Sequence, residues 1–323
     1  MDLTLAICIY NAEKYIEETL ESVSNQTLKD FHLLIINDAS TDNSVKVIEN
    51  YFKENPRQYE LINLQENKGI CHARYYAERY TKTKYLMFID ADDILLPSAI
   101  ETMWEKINSE RDLIAVGCYL DYIDKNGKKI GGGLYLGETD EGKALEKAEK
   151  GKLFFMQPTA IYDRTEALRV GGYEISGFPD GKPRYQDYCE DLDLWTRMSD
   201  LYTEGKAIVV VPEVLALYRK GGGLSTNSFP MMLKMKYTKT NVKRRRAGKN
   251  NLTFTDFYNS LSTEELNNLK KEAQVADDLR NGVFFFKSGN LIKGFALIGR
   301  SFLKNPNYFF DKLRNNLFKS WKS

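Results

Sequence analysis

The first hundred residues alternate between short apolar runs and amphipathic stretches, and this alternation restricts the fold more than any other feature of the chain. "LTLAICI", "FHLLIIND", "YELINLQ" and "KYLMFIDADD" read as strands. Between them, "AEKYIEETLESVSNQ", "STDNSVKVIENYFKEN" and "GICHARYYAERYTK" place apolar residues at helical spacing. Apolar strands separated by helices predict an α/β fold, with a mostly parallel sheet covered on both faces. Ligands of such sheets sit beyond the carboxyl ends of the strands. Here those ends carry Tyr10 and Asn11, then Asp38, then Asp90-Ala91-Asp92.

Beyond residue 110 the alternation weakens. "DLIAVGCYLDYID" reads as a strand, "GGGLYLG" as a loop or hairpin, and "AIVVVPEVLALYRK" as two short strands around Pro212. This region extends the sheet in a mixed sense and builds a second binding surface. The expected division is 1–228, with halves 1–110 and 111–228, followed by a helical tail, 229–323.

Charge separates body from tail. Residues 1–230 carry a net −11 and residues 231–323 a net +12, which suggests two tasks. No apolar run reaches the roughly 18 residues of a membrane span, and the N-terminus lacks the basic leader of a signal peptide. The scattered cysteines (Cys8, Cys71, Cys118, Cys189) read as reduced cytosolic thiols. Nothing points to nucleic acid. His32 and His72 fit no metal or triad spacing.

Asp90, Asp92 and Asp93 follow an apolar strand directly. Mutual repulsion makes such a cluster unstable without a cation, and hard oxygen ligands suit Mg²⁺ or Mn²⁺, above all when a diphosphate completes the shell. Against this stands a helix cap, with Asp93 beginning the helix near Pro97. Asp38 reads either as a cap or as the acceptor for a base or ribose. Asn67, Lys68 and Gly69 precede a helix carrying Arg74, and a cation near a helix start invites a phosphate. Glu190 and Asp191 open the stretch "EDLDLWTRM", either as ordinary first-turn acids or as a general base and its companion. Asp193 reads as solvated, and Leu194 and Trp195 as packed inward.

Taken together, "ICIYNAEKYIEETLESVSNQTLKDFHLLIINDASTDNS", "NKGICHARYYA", "FIDADDILLP", "PTAIYDRTEALRVGGY" and "EDLDLWTRM" resemble the family 2 glycosyltransferases over roughly residues 3–225. The resemblance implies a GT-A fold, which is Rossmann-like with flanking helices, followed here by a C-terminal α-helical extension. It implies an inverting transfer from a nucleotide-diphosphate sugar, with a UDP-sugar as best guess, to a glycan or lipid-linked glycan, in bacterial surface-polysaccharide assembly. Residue by residue, Ile9, Tyr10, Asn11, Glu13, Asp38, Asn67, Lys68 and Arg74 would line the nucleotide pocket. Asp90 and Ala91 would meet the ribose and diphosphate, and Asp92, with Asp90, would hold Mn²⁺ or Mg²⁺. Asp191 would be the base, with Glu190 beside it. Two positions depart from the pattern: Cys8-Ile9 replace a proline-bearing opening, and "YRKGGGLS" lacks the histidine common after the Tyr-Arg pair. A nucleotide-sugar hydrolase, a sugar-phosphate nucleotidyltransferase and a non-catalytic module are the rivals. The nucleotidyltransferase requires a glycine-rich loop that "IYNAEKY" does not supply.

In the tail, "KMKYTKTNVKRRRAGK" reads as a basic helix, and "STEE" (Ser262 to Glu265) as a capping box opening a long one. A last helix would align Phe310, Leu313, Leu317 and Trp321. These features fit peripheral attachment to the inner face of an anionic membrane. The favoured alternative is a helical subdomain closed against the body or against a second subunit in a homodimer, since "VFFF" and "GFALIG" look like core segments.

Overall fold

The structure, a computed structural model, describes residues 1–312 apart from 222, 223 and 288. The chain forms two compact units. The first takes in Met1–Ser176, Cys189–Gly221 and Thr238–Asn250; the second, Gly177–Tyr188 with the described residues of 222–237 and 251–323. The division is interleaved and differs from one cut at residue 228. Segment 177–188 joins the second unit because Phe178 and Tyr185 stack on Phe254, with ring centroids 5.2 and 4.8 Å apart.

The first unit opens as the periodicity predicts: β1 (Leu3–Ile9), α1 (Ile16–Ser24), β2 (His32–Asn37), α2 (Ser44–Glu54), β3 (Glu60–Asn63), α3 (Ile70–Tyr80) and β4 (Tyr85–Asp90). These strands pair in parallel in the order β3-β2-β1-β4. The order reverses direction between β1 and β4, and the carboxyl ends of strands flanking such a switch leave a crevice. Cys8 of β1 lies opposite Asp90 of β4 in the register. All of β1 is buried, as is β4 up to Asp90, so a charge emerges where the apolar run stops.

The sheet continues with β5 (Ile94–Leu95), α4 (Ala99–Ser109), β6 (Leu113–Ile123), β7 (Lys129–Leu134), α5 (Glu141–Glu149), β8 (Ala160–Asp163), α6 (Arg164–Arg169), α7 (Glu190–Met198) and β9 (Ala207–Arg219). Strand β8 lies antiparallel between β4 and β6, β9 runs parallel to β6, and β5 closes the far edge against β9. β5 begins four residues after Asp90, a reach of at most about 14 Å, yet β8, β6 and β9 stand between it and β4. Four flat strand spacings need about 19 Å. The sheet must therefore curl, which carries the end of β9 back to the turn after β4.

One local expectation changes and one alternative is resolved. β9 is one strand rather than two: Pro212 falls where the register with β6 shifts between Cys118 and Tyr119, so the missing N–H meets no ladder acceptor. At "GGGLYLG" the hairpin holds, since Gly131–Gly133 lie within β7, its second arm against β6. The glycines at 222 and 223 lie outside the described residues.

In the second unit, α8 (Ser228–Arg246) contributes its N-terminal half, followed by α9 (Phe254–Asn259), α10 (Thr263–Lys287) and α11 (Leu291–Lys304). Leu233, Tyr237, Phe254 and Phe257 form its aromatic core. The capping box is present: Ser262 N–H donates to Glu265 Oε2 at 2.9 Å, and Glu265 N–H donates to Ser262 Oγ at 3.1 Å. "VFFF" and "GFALIG" are core segments on one face only: Gly294 and Ile298 pack toward α10, while Phe284 and Phe295 are largely exposed. Of the terminal stripe, Leu313, Leu317 and Trp321 lie outside the described residues.

Candidate active site

Among the described residues, three non-glycine residues adopt left-handed backbone conformations: Asn11 (φ 50°), Ala39 (φ 56°) and Cys189 (φ 52°). They follow β1, follow Asp38 after β2, and precede Glu190. Such conformations cost roughly 1–3 kcal/mol each and persist where surrounding bonds over-determine them. All three adjoin residues singled out by sequence.

The bonds that hold the first two are visible. Asn11 Oδ1 accepts from Thr41 N–H at 2.8 Å, and Asn11 N–H donates to Ser40 Oγ at 3.0 Å. Glu13 Oε2 accepts from the Asn43 backbone and side chain, each at 2.9 Å. Asn11 and Glu13 thus tie the loop after β1 to the loop after β2, while Tyr10 stands half exposed above them. Asp38 is buried and accepts from the N–H groups of Lys68 (3.0 Å) and Gly69 (2.8 Å) and from Asn67 Nδ2 (2.9 Å). Its carboxylate shapes the loop entering α3. Lys68 Nζ extends toward solvent and meets Glu66 at 2.8 Å. Ile9 is buried, and its carbonyl accepts from Asp38 N–H at 2.9 Å.

Arg74 joins the two halves of the site. From the first turns of α3 its guanidinium reaches Asp90 Oδ1 at the end of β4 and Glu190 Oε1 at the start of α7, both at 2.5 Å. The side chain is buried over the Phe88 ring. Burial pushes the Glu190 carboxyl up to about 8, with Arg74 pulling the other way and Asp191 adding to the rise. Asp191 is likewise raised by burial, against the pull of Arg74 and backbone amides. A carboxyl held above its ordinary range beside the acids of a strand end suits general-base work. Asp193, expected in solvent, is buried. It pairs with Arg197 at 2.9 Å and accepts from Thr238 Oγ1 at 3.0 Å. Trp195 is buried as expected, its Nε1 donating to the Met156 carbonyl.

The turn after β4 is fixed by a residue the sequence did not single out as a site residue. Arg219, the last residue of β9, donates Nε–H to the Asp92 carbonyl (2.8 Å) and its backbone N–H to Asp93 Oδ1 (2.9 Å). Its other guanidinium nitrogens reach Glu18 (2.6 Å) and the Asp124 carbonyl (3.2 Å). The only sequence cue was a cation ending an apolar strand. Ala91 and Asp92 are partly exposed at the tip of this turn. Burial, then Asp90, raises the Asp92 carboxyl to about 6.

Asp90, Asp92, Asp93, Glu190 and Asp191 therefore share a region in which Arg74 and Arg219 are the cations that reach them. Negative charge is in excess, and burial together with Asp90 makes Asp92 hold its proton more tightly than an ordinary aspartate, against the pull of a backbone amide and Arg219. A dication bound there would relieve the same repulsion. Among the described residues no group of three or more His, Cys, Asp or Glu side chains is arranged as a cage. Mg²⁺-type sites need only one or two carboxylates when substrate phosphates and water complete the shell. Asp92 fits that role, while one oxygen of Asp90 is already committed to Arg74.

Comparison with known proteins agrees with this architecture. The family model described as glycosyl transferase family 2 matches residues 4–171. The teichoic acid poly(glycerol phosphate) polymerase of Staphylococcus epidermidis is 44% identical over 113 residues, which cover 35% of this chain and 16% of the polymerase. An uncharacterized glycosyltransferase of Haemophilus influenzae is 28% identical over 228 residues, covering 70% of this chain and 68% of that protein. The crystal structure of S. aureus TarS 1–349 in complex with UDP-GlcNAc superposes with a TM-score of 0.55 at 18% identity, covering 93% of this chain and 91% of that one. That superposition shows the fold, GT-A. With the family model spanning just over half its length, the chain belongs to glycosyl transferase family 2.

Proposed function

We propose that the protein moves a sugar from a nucleotide diphosphate, a UDP-sugar as the best reading, to a hydroxyl of a saccharide or lipid-linked saccharide, inverting the anomeric centre. The observation that carries this reading is the junction at Arg74. It holds the acid that ends β4 and the acid that opens α7 on one guanidinium. The donor class is supported by neighbours with UDP-GlcNAc and, for a mannosyltransferase of the same fold, with GDP-Man and Mn²⁺.

Asp191 takes the proton of the acceptor hydroxyl as its oxygen bonds to the anomeric carbon. The bond from that carbon to the donor diphosphate breaks on the opposite face, and the diphosphate leaves with the electron pair. One displacement inverts the centre and needs no protein nucleophile. Asp90 and Ala91, at the strand end, face ribose and diphosphate. Asp92 would hold Mn²⁺ or Mg²⁺, which when bound supplies charge neutralisation for the departing diphosphate. Lys68, at the start of α3, adds a mobile cation on the same side. A peripheral position at the inner face of a membrane, reached through the basic C-terminal helices, would bring lipid-linked acceptors within range.

A donor screen that follows nucleotide release, with Mn²⁺ and Mg²⁺ in parallel, tests the class. Asp191→Asn keeps volume and donor affinity and lowers turnover by roughly two to four orders of magnitude. Unchanged turnover at saturation would reduce Asp191 to a helix-start acid. A product that keeps the donor's anomeric configuration would refute single displacement. Release that is independent of any acceptor would favour hydrolysis.

A further inference from the structure

Helix α11 is apolar on two faces, and among the described residues the second is covered only in part. Gly294, Ile298 and Ser301 lie on the face toward α10: Ser301 Oγ donates to the Val275 carbonyl at 3.0 Å, and a Cβ on Gly282 of α10 would come within 2.7 Å of Ile298. At 100° per residue, Ile292, Phe295, Phe302 and Leu303 fall on a second arc; Phe295 keeps an edge contact with Phe286 of α10 (ring centroids 4.6 Å) and Phe302 one with Phe309 (5.6 Å), while Ile292 and Leu303 stand clear. Ile292 is 86% exposed, Leu303 79% and Phe295 65%. Side chains of this size are rarely left so open in a contiguous row without a partner for them. Lys293, Arg300 and Lys304 recur along one edge of that arc; Arg300 and Lys304 share the single carboxylate of Asp278 on α10, which leaves the edge net positive, as on a helix that lies in a lipid interface with cations at its border.

Charge selects the occupant. From Arg280 to the C-terminus the sequence holds nine Lys/Arg residues and a single acid, Asp311. A second copy docking on this face would bring the same excess of positive charge against itself, and the terminal segment 313–323 has cations and no acid. An anionic lipid surface complements both the apolar row and its basic border. No helix among the described residues is long and apolar enough to cross a membrane.

We propose that the outer face of α11 lies in the headgroup region of an anionic membrane, with Ile292, Phe295 and Leu303 reaching the acyl boundary. This inference rests on the peripheral-attachment reading given above and names the element that performs it. The test is flotation of the full-length protein with phosphatidylcholine vesicles, with and without phosphatidylglycerol, at low and high salt. Wild type should float with anionic vesicles and release in high salt, because exposed charges are screened. The double variant I292S/L303S should partition about a hundredfold less, with an unchanged thermal midpoint and unchanged nucleotide release on a soluble acceptor. A second full-length variant, L317S/W321S, should float like wild type.

Flotation lost in the terminal variant and kept in the α11 variant overturns the inference and leaves peripheral attachment standing. Absence of wild-type flotation on both vesicle types overturns both. Concentration-dependent dimers that the α11 variant dissolves, without vesicle binding, would assign the face to a second copy and overturn the inference. Nucleotide release measured on the same samples keeps the catalytic reading separate from each of these outcomes.

Discussion

Arg74 is the residue on which the two acids of the crevice depend. Removing one partner of a buried ion pair leaves uncompensated charge, at a cost of about 3–5 kcal/mol. Arg74→Ala should therefore destabilise by roughly that amount in urea unfolding, and R74A/E190Q should recover part of it because the orphaned Glu190 is removed. Absence of recovery would show that Glu190 does not carry the penalty. Glu78 behaves differently. It is buried on α3, accepts from Tyr173 N–H (3.0 Å) and from the Tyr162 hydroxyl (3.2 Å), and burial raises its carboxyl. A raised folded value means that the native state binds the proton more tightly than the unfolded chain. Its stability contribution is complete below the ordinary glutamate value of about 4.3 and falls as pH rises from there through the raised folded value. Replacing Glu78 by Gln should flatten that slope in denaturation followed across pH. An identical slope in both proteins would place the titration elsewhere.

At the scale of elements, the end of β9 acts as a clamp on the β4–β5 turn. Arg219 makes no expected contact with substrate, so it is a positioning residue. Its replacement by Ala should lower kcat/KM about 10–100-fold, the range seen when the support of a metal ligand is removed. The required metal concentration should rise and the far-UV spectrum should stay unchanged; a loss of activity with unaltered metal dependence would count against the clamp. The Gly171-Gly172 turn shows a second coupling. Gly172 has φ +65°, and a Cβ there would fall within 2.1 Å of Glu78 Oε2. The glycine admits the buried carboxylate that receives Tyr173 N–H, so the "VGGY" stretch closes over α3 because no side chain intervenes.

For the molecule as a whole, donor and dication should act as one ligand of the native state. At a hundred times the dissociation constant such a ligand adds about 2.7 kcal/mol to apparent stability. The thermal midpoint should rise with UDP and Mn²⁺ together and rise less with either alone. Asp92→Ala should abolish the difference between the mixture and UDP alone. A full shift in excess chelator would show that the nucleotide binds without metal.

The strand–helix alternation up to β4 was legible in the sequence because each element answers to its own period: near-continuous apolar residues for a doubly covered strand, and spacing of three and four for the helices. The positions of Asp38, Asp90 and Asp92 followed from it, since strand ends in a parallel sheet share one edge. The Ser262–Glu265 cap was equally local. What periodicity does not encode is pairing between distant segments. That β9 runs unbroken through Pro212, and that its last residue grips the turn after β4, depends on the register with β6 and on the curl of the sheet. The burial of Asp193 depends on Arg197 and Thr238 arriving from other turns and helices. "VFFF" and "GFALIG" show the same limit from the other side. Their composition suits a core, but only the packing of α11 on α10 decides which of two apolar faces is covered. Sequence fixes what a residue is able to bury, and tertiary packing decides what is there to bury it.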